Sequence, residues 1–396
     1  MLRFLTAGES HGPSLSVIVE GLPAGLPITA EQIAEQLARR RLGYGRGPRM
    51  RFERDELRIV GGVRHGRTLG SPVGVEVLNS EWPKWEQEMS AAPGTPERRL
   101  TAPRPGHADL VGMQKYAFDD ARDVLERASA RETAARVVAG TLARELLATI
   151  GVRVVSHVVR IGAAEALNDV RPGPEDQAQI DVSEVRCFDP AGEAAMIAEI
   201  KAAAKAGDSL GGVAEVIVYG VPVGLGSYVH WDRKLDGLLA GALMSIPAVK
   251  AVEIGDGFAQ SAQRGSDAHD AIAVDASHAA GGGFVRRSDH AGGLEGGVSS
   301  GAPIVVRVAM KPLSTLNRPV LETVDLATGE STVSFKERTD VTAVPAMGVV
   351  AETMVALTLA SEALRKFGGD TLEEFTRNHA AYLEHLGSTA SRSIPE

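Results

Sequence analysis

The chain has 396 residues and a formal net charge of −9 at pH 7, with 44% apolar and 23% charged residues. This composition is typical of a soluble globular protein and excludes a disordered chain, and no apolar stretch reaches the ~20 residues of a membrane-spanning helix. The 4% of aromatic residues disfavours a nucleic-acid-stacking surface, and the single cysteine, Cys187, excludes an intrachain disulfide or a thiolate metal cluster.

The first residues lack the apolar core of a signal peptide, so we expect a cytoplasmic protein that binds neither nucleic acid nor membranes. The segment Ser14–Glu20 alternates apolar and polar residues, which predicts a strand. Thr29 and Gln32 have the spacing of a capping box and predict the start of a helix. Residues 73–78 form a second β-branched strand, and five prolines in residues 82–106 predict an irregular excursion.

The rest of the chain mixes long helices with β-branched strands. Helices are predicted over residues 110–150, 193–206, 232–247 and 349–367, and strands over 152–161, 213–219 and 303–310. Thr371 and Glu374 predict a capping box at the start of the last helix, and the chain is expected to fray from about Gly387. Strict βαβ alternation and repeats are lacking, so we predict one α+β domain over residues 1–387 and a frayed tail over 388–396.

The turn Gly8–Gly12 fits the G-x-S-x-G pattern of the nucleophile elbow in α/β-hydrolases. An elbow follows several strands, whereas only seven residues precede Gly8. Two interpretations remain open from these residues alone. The turn presents Ser10 as a hydrogen-bond donor and His11 as a proton donor, or it is a plain glycine-rich turn, since patterns this short recur by chance.

Seven arginines within 16 residues form the densest cluster of charge in the sequence: Arg39, Arg40, Arg41, Arg46, Arg49, Arg51 and Arg54. Guanidinium groups bind phosphate and carboxylate through paired hydrogen bonds, which predicts a polyanionic small molecule as ligand. The alternative is a solvated helix end, where cations offset the helix dipole. The glycines between the arginines follow a helix rather than a strand, so they do not form a dinucleotide fingerprint.

Three further segments have both a functional and an ordinary structural explanation. His107 follows a Pro-Gly turn that would fix its ring, or it is a loop histidine. Arg127 and Arg131 would lie one turn apart on a helix and repel each other unless an anion or a neighbouring acidic residue lies between them. The glycine-rich residues 287–301 would let a flat or phosphorylated ligand approach the backbone, or they form a surface loop.

The residues 311–315 combine lysine, serine and threonine, which suits a phosphate group, and Asp340 is a candidate base. The ten histidines lack the spacing of metal ligands, so no catalytic metal is expected. The chain also lacks a Walker A sequence and a Rossmann fingerprint, so an ATPase or a standard NAD dehydrogenase is unsupported.

Taken in this order, these segments resemble the motifs of the chorismate synthase family. The resemblance extends from residue 2 to about residue 370 and rests on several long motifs. These motifs are Thr6–Pro13, Arg39–Gly47, Arg104–Asp109, Glu126–Ala135, Gly255–Phe258, Ala291–Gly297 and Lys311–Thr315.

The resemblance implies a carbon–oxygen lyase that converts 5-enolpyruvylshikimate 3-phosphate to chorismate and phosphate by anti-1,4-elimination, the last common step toward aromatic compounds. The family requires FMN in its reduced form, although the reaction has no net redox change. The implied fold is a β-α-β sandwich of two antiparallel sheets around central long helices, in a homotetramer. NADPH is the implied reductant, and the lack of a recognisable reductase domain favours a separate flavin reductase over intrinsic reduction.

The resemblance also implies roles for individual residues. His11 and His107 would donate protons, one to the departing phosphate and one to the reduced flavin, and Asp340 would help to remove the ring proton. The substrate would be held by Ser10, Arg40, Arg46, Arg49, Arg104, Arg131 and Arg338. The flavin would contact Arg127, Ala128, Ser129, Pro247, Ala248, Gly296, Lys311, Pro312, Leu313, Ser314, Thr315 and Arg338, and Arg40 and Arg46 would also bind NADP.

Two features depart from the family pattern. Pro247 stands where relatives often carry Asn or Gln, which puts a side-chain hydrogen bond to the flavin in doubt. Residues 273–285 form a divergent segment without an assigned function. Two other functions are alternatives to the lyase. One is a serine hydrolase built on Ser10, and the other is an RNA-binding protein that uses the arginine cluster, which the acidic total charge disfavours.

Overall fold

Two antiparallel sheets and a set of long helices make up the computed structural model, which describes residues 2–46, 56–167, 170–275, 277–335 and 340–393 and the side chains up to residue 387. The first sheet has the strand order β1–β2–β4–β3. Its strands are β1 (Arg3–Ala7), β2 (Ser14–Glu20), β3 (Leu57–Gly61) and β4 (Val73–Leu78). The predicted bounds of β2 and β4 are confirmed.

The first sheet buries one face, because apolar residues alternate along its two central strands. In the register of β2 against β4, Leu15 lies opposite Val77 and Val17 lies opposite Val75, and all four side chains are buried. The other face is exposed and carries an apolar row of Leu5, Ile18 and Val60.

The second sheet has the strand order β8–β9–β7–β5–β6, and its three central strands are buried on both faces. Its strands are β5 (Arg153–Ile161), β6 (Ala164–Glu165), β7 (Gly212–Tyr219), β8 (Val249–Ile254) and β9 (Ile304–Met310). Val216 and Val306 belong to the main core, whereas Ile217 and Val305 on the opposite face pack with Ile180. Burial of both faces explains why these strands lack a clean apolar–polar alternation.

The described residues contain eight helices of at least seven residues. A shorter helix of six residues spans Gln177–Val182. The eight longer helices are α1 (Ala30–Arg41), α2 (Asp109–Tyr116), α3 (Arg122–Ala128), α4 (Thr133–Ala148), α5 (Pro190–Ala206), α6 (Leu235–Met244), α7 (Val344–Phe367) and α8 (Leu372–Ser393). The four-residue helices are Trp82–Trp85, Gly257–Gln260 and Gly265–Ala268. The 3-10 turns are Ala130–Glu132, Pro174–Asp176, Trp231–Arg233 and Ala279–Gly281.

Four small hairpins complete the regular structure of the described residues. They are Val63–Arg64 with Arg67–Thr68, Ile272–Val274 with Phe284–Arg286, Leu294–Glu295 with Val298–Ser299, and Glu322–Val324 with Ser331–Val333.

The prediction that residues 110–150 are largely helical is confirmed, although the chain interrupts the helical structure twice. Ala117 adopts a left-handed conformation with φ 57° and ends α2. Ser129 is extended, and its hydroxyl accepts a hydrogen bond from the Arg131 backbone N–H, which starts a 3-10 turn between α3 and α4. Arg127 and Arg131 therefore do not share one helix, so they are not the i, i+4 neighbours that a continuous helix would have made them.

Other predicted helix ends shift by a few residues. The capping boxes at Thr29 and Thr371 are confirmed. The helix expected from Asp232 begins only at Leu235, because residues 231–233 form a 3-10 turn. α7 begins at Val344, since Pro345 fits the first turn of a helix, and the backbone of α8 is helical from Leu372 to Ser393.

The helices α4 and α7 connect the two sheets. α4 packs on β2 of the first sheet, α7 packs on β5 and β7 of the second, and the two helices pack on each other. They approach closely at Gly140 of α4, where an added Cβ would lie 2.1 Å from Cγ2 of Thr353 on α7. Among the described residues α7 is the one helix long and apolar enough to cross a membrane, and 89% of its apolar window is buried inside the protein.

A buried carboxylate on α7, Glu352, joins three arginines that come from separate elements. Arg39 of α1 donates to both of its oxygens at 2.7 and 2.9 Å, Arg186 donates to Oε1 at 3.2 Å, and Arg144 of α4 contacts Oε2. Asp181 adds a second negative charge, which pairs with Arg39 at 2.7 Å and Arg186 at 2.9 Å. Burial alone would raise the pKa of Glu352, but the three guanidinium groups hold it well below its usual range.

Substitution of Gly140 tests the close contact between α4 and α7. We expect Gly140→Ala to lower the free energy of unfolding by about 1–3 kcal/mol, the usual cost of overpacking a core. Gly241→Ala is the matched control, because no atom lies within 4 Å of an added Cβ at this position in α6, and alanine favours a helix by about 1 kcal/mol over glycine. Denaturant unfolding measures both variants, and a loss of stability in both would contradict the contact.

The charge of Glu352 makes stability depend on pH. Because the folded-state pKa of Glu352 is lowered, its contribution is present above the unfolded pKa of about 4.3 and is lost as pH falls below it. We expect Glu352→Gln to cost about 3–5 kcal/mol near neutrality, with a difference from wild type that shrinks below pH ~4. Glu330→Gln, at an exposed carboxylate, serves as control, and a difference for Glu352→Gln that is constant with pH would refute the expectation.

Candidate active site

A cavity of about 500 Å³ lies where the turn after β1, the end of α1, the start of α7 and the segment after β9 meet. Most of the site residues predicted from the sequence line this cavity, although they come from all parts of the chain. They are Ser10, His11, Arg40, Arg46, Arg104, His107, Ala128, Ser129, Pro247, Ala248, Lys311, Pro312, Leu313, Ser314, Thr315 and Asp340.

Three predicted residues lie outside the cavity lining in the single chain. Arg127 donates hydrogen bonds to the backbone oxygens of Thr6 and Gly8, so it stabilises the turn after β1. Arg131 belongs to the 3-10 turn between α3 and α4, and Gly296 lies between the two strands of the Leu294–Ser299 hairpin. Arg49 and Arg338 lie outside the described residues.

His11 is paired with a buried carboxylate that the sequence places 115 residues away. Its Nδ1 lies 2.9 and 3.0 Å from the two oxygens of Glu126, and its backbone N–H donates to Glu126 at 2.9 Å. Burial raises the pKa of Glu126, but the hydrogen bonds and charge of His11 outweigh burial, so the net shift is downward. Glu126 is therefore ionised at neutral pH and able to orient the imidazole ring.

His107 has a similar carboxylate partner, but a local one. Its Nδ1 lies 2.5 Å from Oδ1 of Asp109, and the side chain of Asp109 is fully buried. Arg104 donates to Asp109 from its backbone N–H at 3.1 Å and from Nε at 2.8 Å. Burial raises the pKa of Asp109, whereas the bonds from His107 and Arg104 lower it much further, so the net shift is strongly downward.

The guanidinium groups that line the cavity are held by backbone and side-chain contacts. Arg40 donates to Thr133 Oγ1 and to the Ala130 carbonyl, both at 2.9 Å, and Arg46 Nε lies 3.1 Å from Oδ2 of Asp340. With Arg104 and Lys311 also in the lining, cations outnumber Asp340, the one carboxylate among the described lining residues. A cavity of this charge suits an anionic ligand with more than one negative group.

The cavity lining also contains apolar side chains and several hydroxyl groups. Apolar lining residues include Ile246, Pro247, Ala248, Met310, Ala343, Ala346, Met347 and Val350. Thr315 Oγ1 accepts a hydrogen bond from Arg104 at 3.0 Å, and Ser129 donates to Ser10 at 3.2 Å. The cavity can therefore take a flat apolar group and also offers polar contacts.

Sequence reasoning missed three residues that shape the site. Asp109 could have been identified from the sequence, because it stands two residues after His107. Glu126 begins one of the family motifs, but nothing in that motif pointed to His11, and Trp85 had no local signal. Only the folded chain brings both residues to His11, where Trp85 stacks on the imidazole ring at a centroid distance of 3.9 Å.

Comparison with known proteins gives the chain its family. A family model of chorismate synthase matches residues 2–364. The chain belongs to the chorismate synthase family. It is 58% identical over 396 residues to the chorismate synthase of Thermobifida fusca, covering 98% of this chain and 99% of that protein. It is 59% identical over 392 residues to that of Micrococcus luteus, covering 96% and 94%.

A crystal structure of a chorismate synthase has the same fold. It superposes with a TM-score of 0.78 at 39% sequence identity, and the match covers 98% of both chains. Chorismate synthase is a lyase of aromatic amino acid biosynthesis, and the full-length similarity to several chorismate synthases gives this activity to the chain. The resemblance predicted from the motifs is thereby confirmed.

The cationic lining of the cavity can be tested with a simple anion. We expect inorganic phosphate to raise the melting temperature of the wild-type protein, because a ligand that binds only the folded state stabilises it. Arg46→Ala should weaken this binding roughly 10-fold or more, since hydrogen bonds to charged groups contribute about 1.5–3 kcal/mol. Lys205→Ala, at an exposed lysine of α5, removes the same charge elsewhere and should leave binding unchanged. Equal weakening in both variants would show a non-specific charge effect.

Proposed function

We propose that the cavity is the place where the chain eliminates phosphate from 5-enolpyruvylshikimate 3-phosphate to form chorismate, with reduced FMN bound beside the substrate. The observation that carries this proposal is the convergence of two histidines, each backed by a buried carboxylate, with several guanidinium groups in one cavity. Elimination of this kind needs anion binding and positioned proton donors at the same site.

The substrate has a phosphate and two carboxylates, and the cavity offers matching cations. Arg40, Arg46 and Arg104 all line it, and each guanidinium can bind an oxyanion through two hydrogen bonds. Ser10 adds a hydroxyl group to the cavity lining. We assign Arg49, Arg131 and Arg338 to substrate binding from the resemblance alone.

The apolar part of the cavity lining fits the ring system of a flavin. Pro247 and Ala248 present apolar surface, and Met310 lies beside them in the lining. Pro247 has no side-chain donor, so its contact with a flavin is apolar. Residues 311–315 supply an ammonium group and two hydroxyl groups for the flavin phosphate.

The remaining flavin contacts follow the family pattern. Ala128 and Ser129 line the same cavity, whereas Arg127, Gly296 and Arg338 are assigned to the flavin, and Arg40 and Arg46 to NADP, from the resemblance alone. When bound, reduced FMN supplies electron density to the reacting carbon atoms as the phosphate leaves.

Proton transfer falls to three residues of the chain. His11 and His107 are the proton donors, because each ring is held by a carboxylate at Nδ1 and lines the cavity. Asp340 lies 3.1 Å from Arg46, which holds its carboxylate at the cavity wall. We assign to Asp340 a part in the removal of the ring proton of the substrate, at a place where a bound flavin would lie beside it.

The proposal also covers the fold, the oligomeric state, the location and the source of the reduced flavin. We propose a β-α-β sandwich, a homotetramer, a cytoplasmic location, and a separate flavin reductase that uses NADPH. The contacts of α4 with the first sheet and of α7 with the second support the sandwich. The exposed apolar row of Leu5, Ile18 and Val60 supports self-association, because such a row is costly to leave in water.

An anaerobic assay with 5-enolpyruvylshikimate 3-phosphate tests the reaction. When reduced FMN is supplied, we expect chorismate and phosphate to form together. With oxidised FMN or without flavin, we expect neither product. Phosphate without chorismate would indicate a phosphatase and overturn the proposal.

His107→Ala tests the role of a single proton donor. We expect kcat to fall by about 10²–10⁴, the usual contribution of general acid–base catalysis, while KM and FMN affinity stay within a few-fold of wild type. His230→Ala is the matched control, because His230 is exposed and lies outside the cavity lining. Wild-type turnover of His107→Ala would remove His107 from the mechanism.

A further inference from the structure

The imidazole ring of His11 is enclosed by groups from two other segments. Glu126 of α3 contacts the Nδ1 edge at 2.9 and 3.0 Å. The indole ring of Trp85 stacks on the imidazole face at 3.9 Å between centroids, with 28° between the planes. The ring is therefore fixed both at its edge and on its face, and the His11 side chain keeps only about 13% of its surface exposed.

Trp85 reaches this position because the end of β4 is tied to the turn that carries His11. The buried Asn79, directly after β4, donates its side-chain amide to the Gly12 carbonyl at 2.9 Å and its backbone N–H to the Pro13 carbonyl at 3.0 Å. The short helix Trp82–Trp85 begins three residues later. The proline-rich segment 82–106 therefore begins three residues after Asn79, whose hydrogen bonds hold it to the turn of the candidate active site.

Charged groups around His11 also point to a fixed ring. On α3, Arg122 donates to Glu126 at 3.1 Å, and its guanidinium lies over the Trp85 ring at 5.1 Å. Glu88, after the short helix, approaches Arg122 at 3.5 Å, and Glu9 belongs to the same turn as His11. Arg122 thus joins the carboxylate and the indole ring into one unit.

Both oxygens of the Glu126 carboxylate lie next to Nδ1 of His11, and this contact determines which ring nitrogen of His11 stays protonated. An ionised carboxylate only accepts hydrogen bonds, so the Nδ1 of His11 must donate. The second nitrogen, Nε2, is then the one that gains and loses a proton, and its position is set by the ring orientation. The same logic applies in hydrolases in which a buried aspartate orients a catalytic histidine.

We propose that Glu126 and Trp85 are positioning residues that hold His11 with its Nδ1–H bonded to the carboxylate, so that Nε2 is the atom that exchanges a proton with the ligand. Neither residue touches the reacting atoms. The catalytic consequence rests on the proposed function, whereas the ring geometry and tautomer do not depend on it.

Kinetics of Glu126→Gln test the catalytic consequence. Glutamine keeps the shape but loses the charge and can present an N–H to Nδ1, which favours the wrong tautomer. We expect kcat to fall by about 10² or more, by analogy with the loss of an orienting aspartate, while KM changes less than about 3-fold. The alkaline limb of the pH–rate profile should move to lower pH, because the negative charge that favours the protonated ring is gone.

Matched variants separate positioning from a general disturbance of the helix. Asp123→Asn neutralises an exposed carboxylate on the same helix and should keep wild-type kinetics and pH profile. Trp85→Phe retains an aromatic face and should keep most of the activity, whereas Trp85→Leu should lower kcat without raising KM. An unchanged pH profile in Glu126→Gln, or equal loss in Asp123→Asn, would overturn the proposal.

Nitrogen NMR of the wild-type protein tests the tautomer without substrate or flavin. The protein is labelled with ¹⁵N-histidine, and His11→Asn identifies the His11 signals by their loss. As pH rises, we expect His11 Nε2 to move to the range of an unprotonated nitrogen while Nδ1 stays protonated. A neutral ring protonated at Nε2 would overturn the proposal, even if Glu126→Gln fails to fold. Because this measurement needs no turnover, it also separates failure of the positioning from failure of the proposed reaction.

Discussion

The buried charge of Glu352 is the constraint on which the site depends. A carboxylate in the core is tolerated only when cations and hydrogen bonds compensate its lost hydration, and here Arg39, Arg144 and Arg186 do so from three separate elements. This requirement fixes the end of α1 against α7. Neighbouring residues of a helix point about 100° apart, so Arg40, next to Arg39, is turned away from the buried network and lines the cavity.

The same packing explains the glycines between the arginines. Gly43 has φ +127°, and an added Cβ would lie 3.0 Å from Pro345 at the start of α7. Gly45 has φ +81° and would approach Ile200 at 2.8 Å. Only glycine fits these conformations and distances without strain. The chain can therefore run close to α7 and bring Arg46 within 3.1 Å of Asp340.

The two histidines of the cavity each pair with a buried carboxylate, but the two carboxylates come from different distances along the chain. His107 takes its carboxylate from Asp109, two residues along the chain, on a turn that also contains Arg104. His11 takes its carboxylate from Glu126, which only the packing of α3 against the first turn provides. In both cases a buried acid holds Nδ1, so the fold supplies two oriented rings to a cavity rich in cations. This arrangement suits a lyase that binds an anionic substrate.

The sequence by itself determined the features that depend on neighbouring residues and on motifs. The alternation in Ser14–Glu20 specified β2, the capping box at Thr29 specified the start of α1, and the ordered motifs specified the chorismate synthase family. Most of the cavity lining followed from those motifs. Only the tertiary structure decided that Glu126 meets His11 and that Arg127 lies behind the turn rather than in the cavity. Such contacts join residues more than a hundred positions apart, and they follow from how the elements pack, which no local pattern of side chains records.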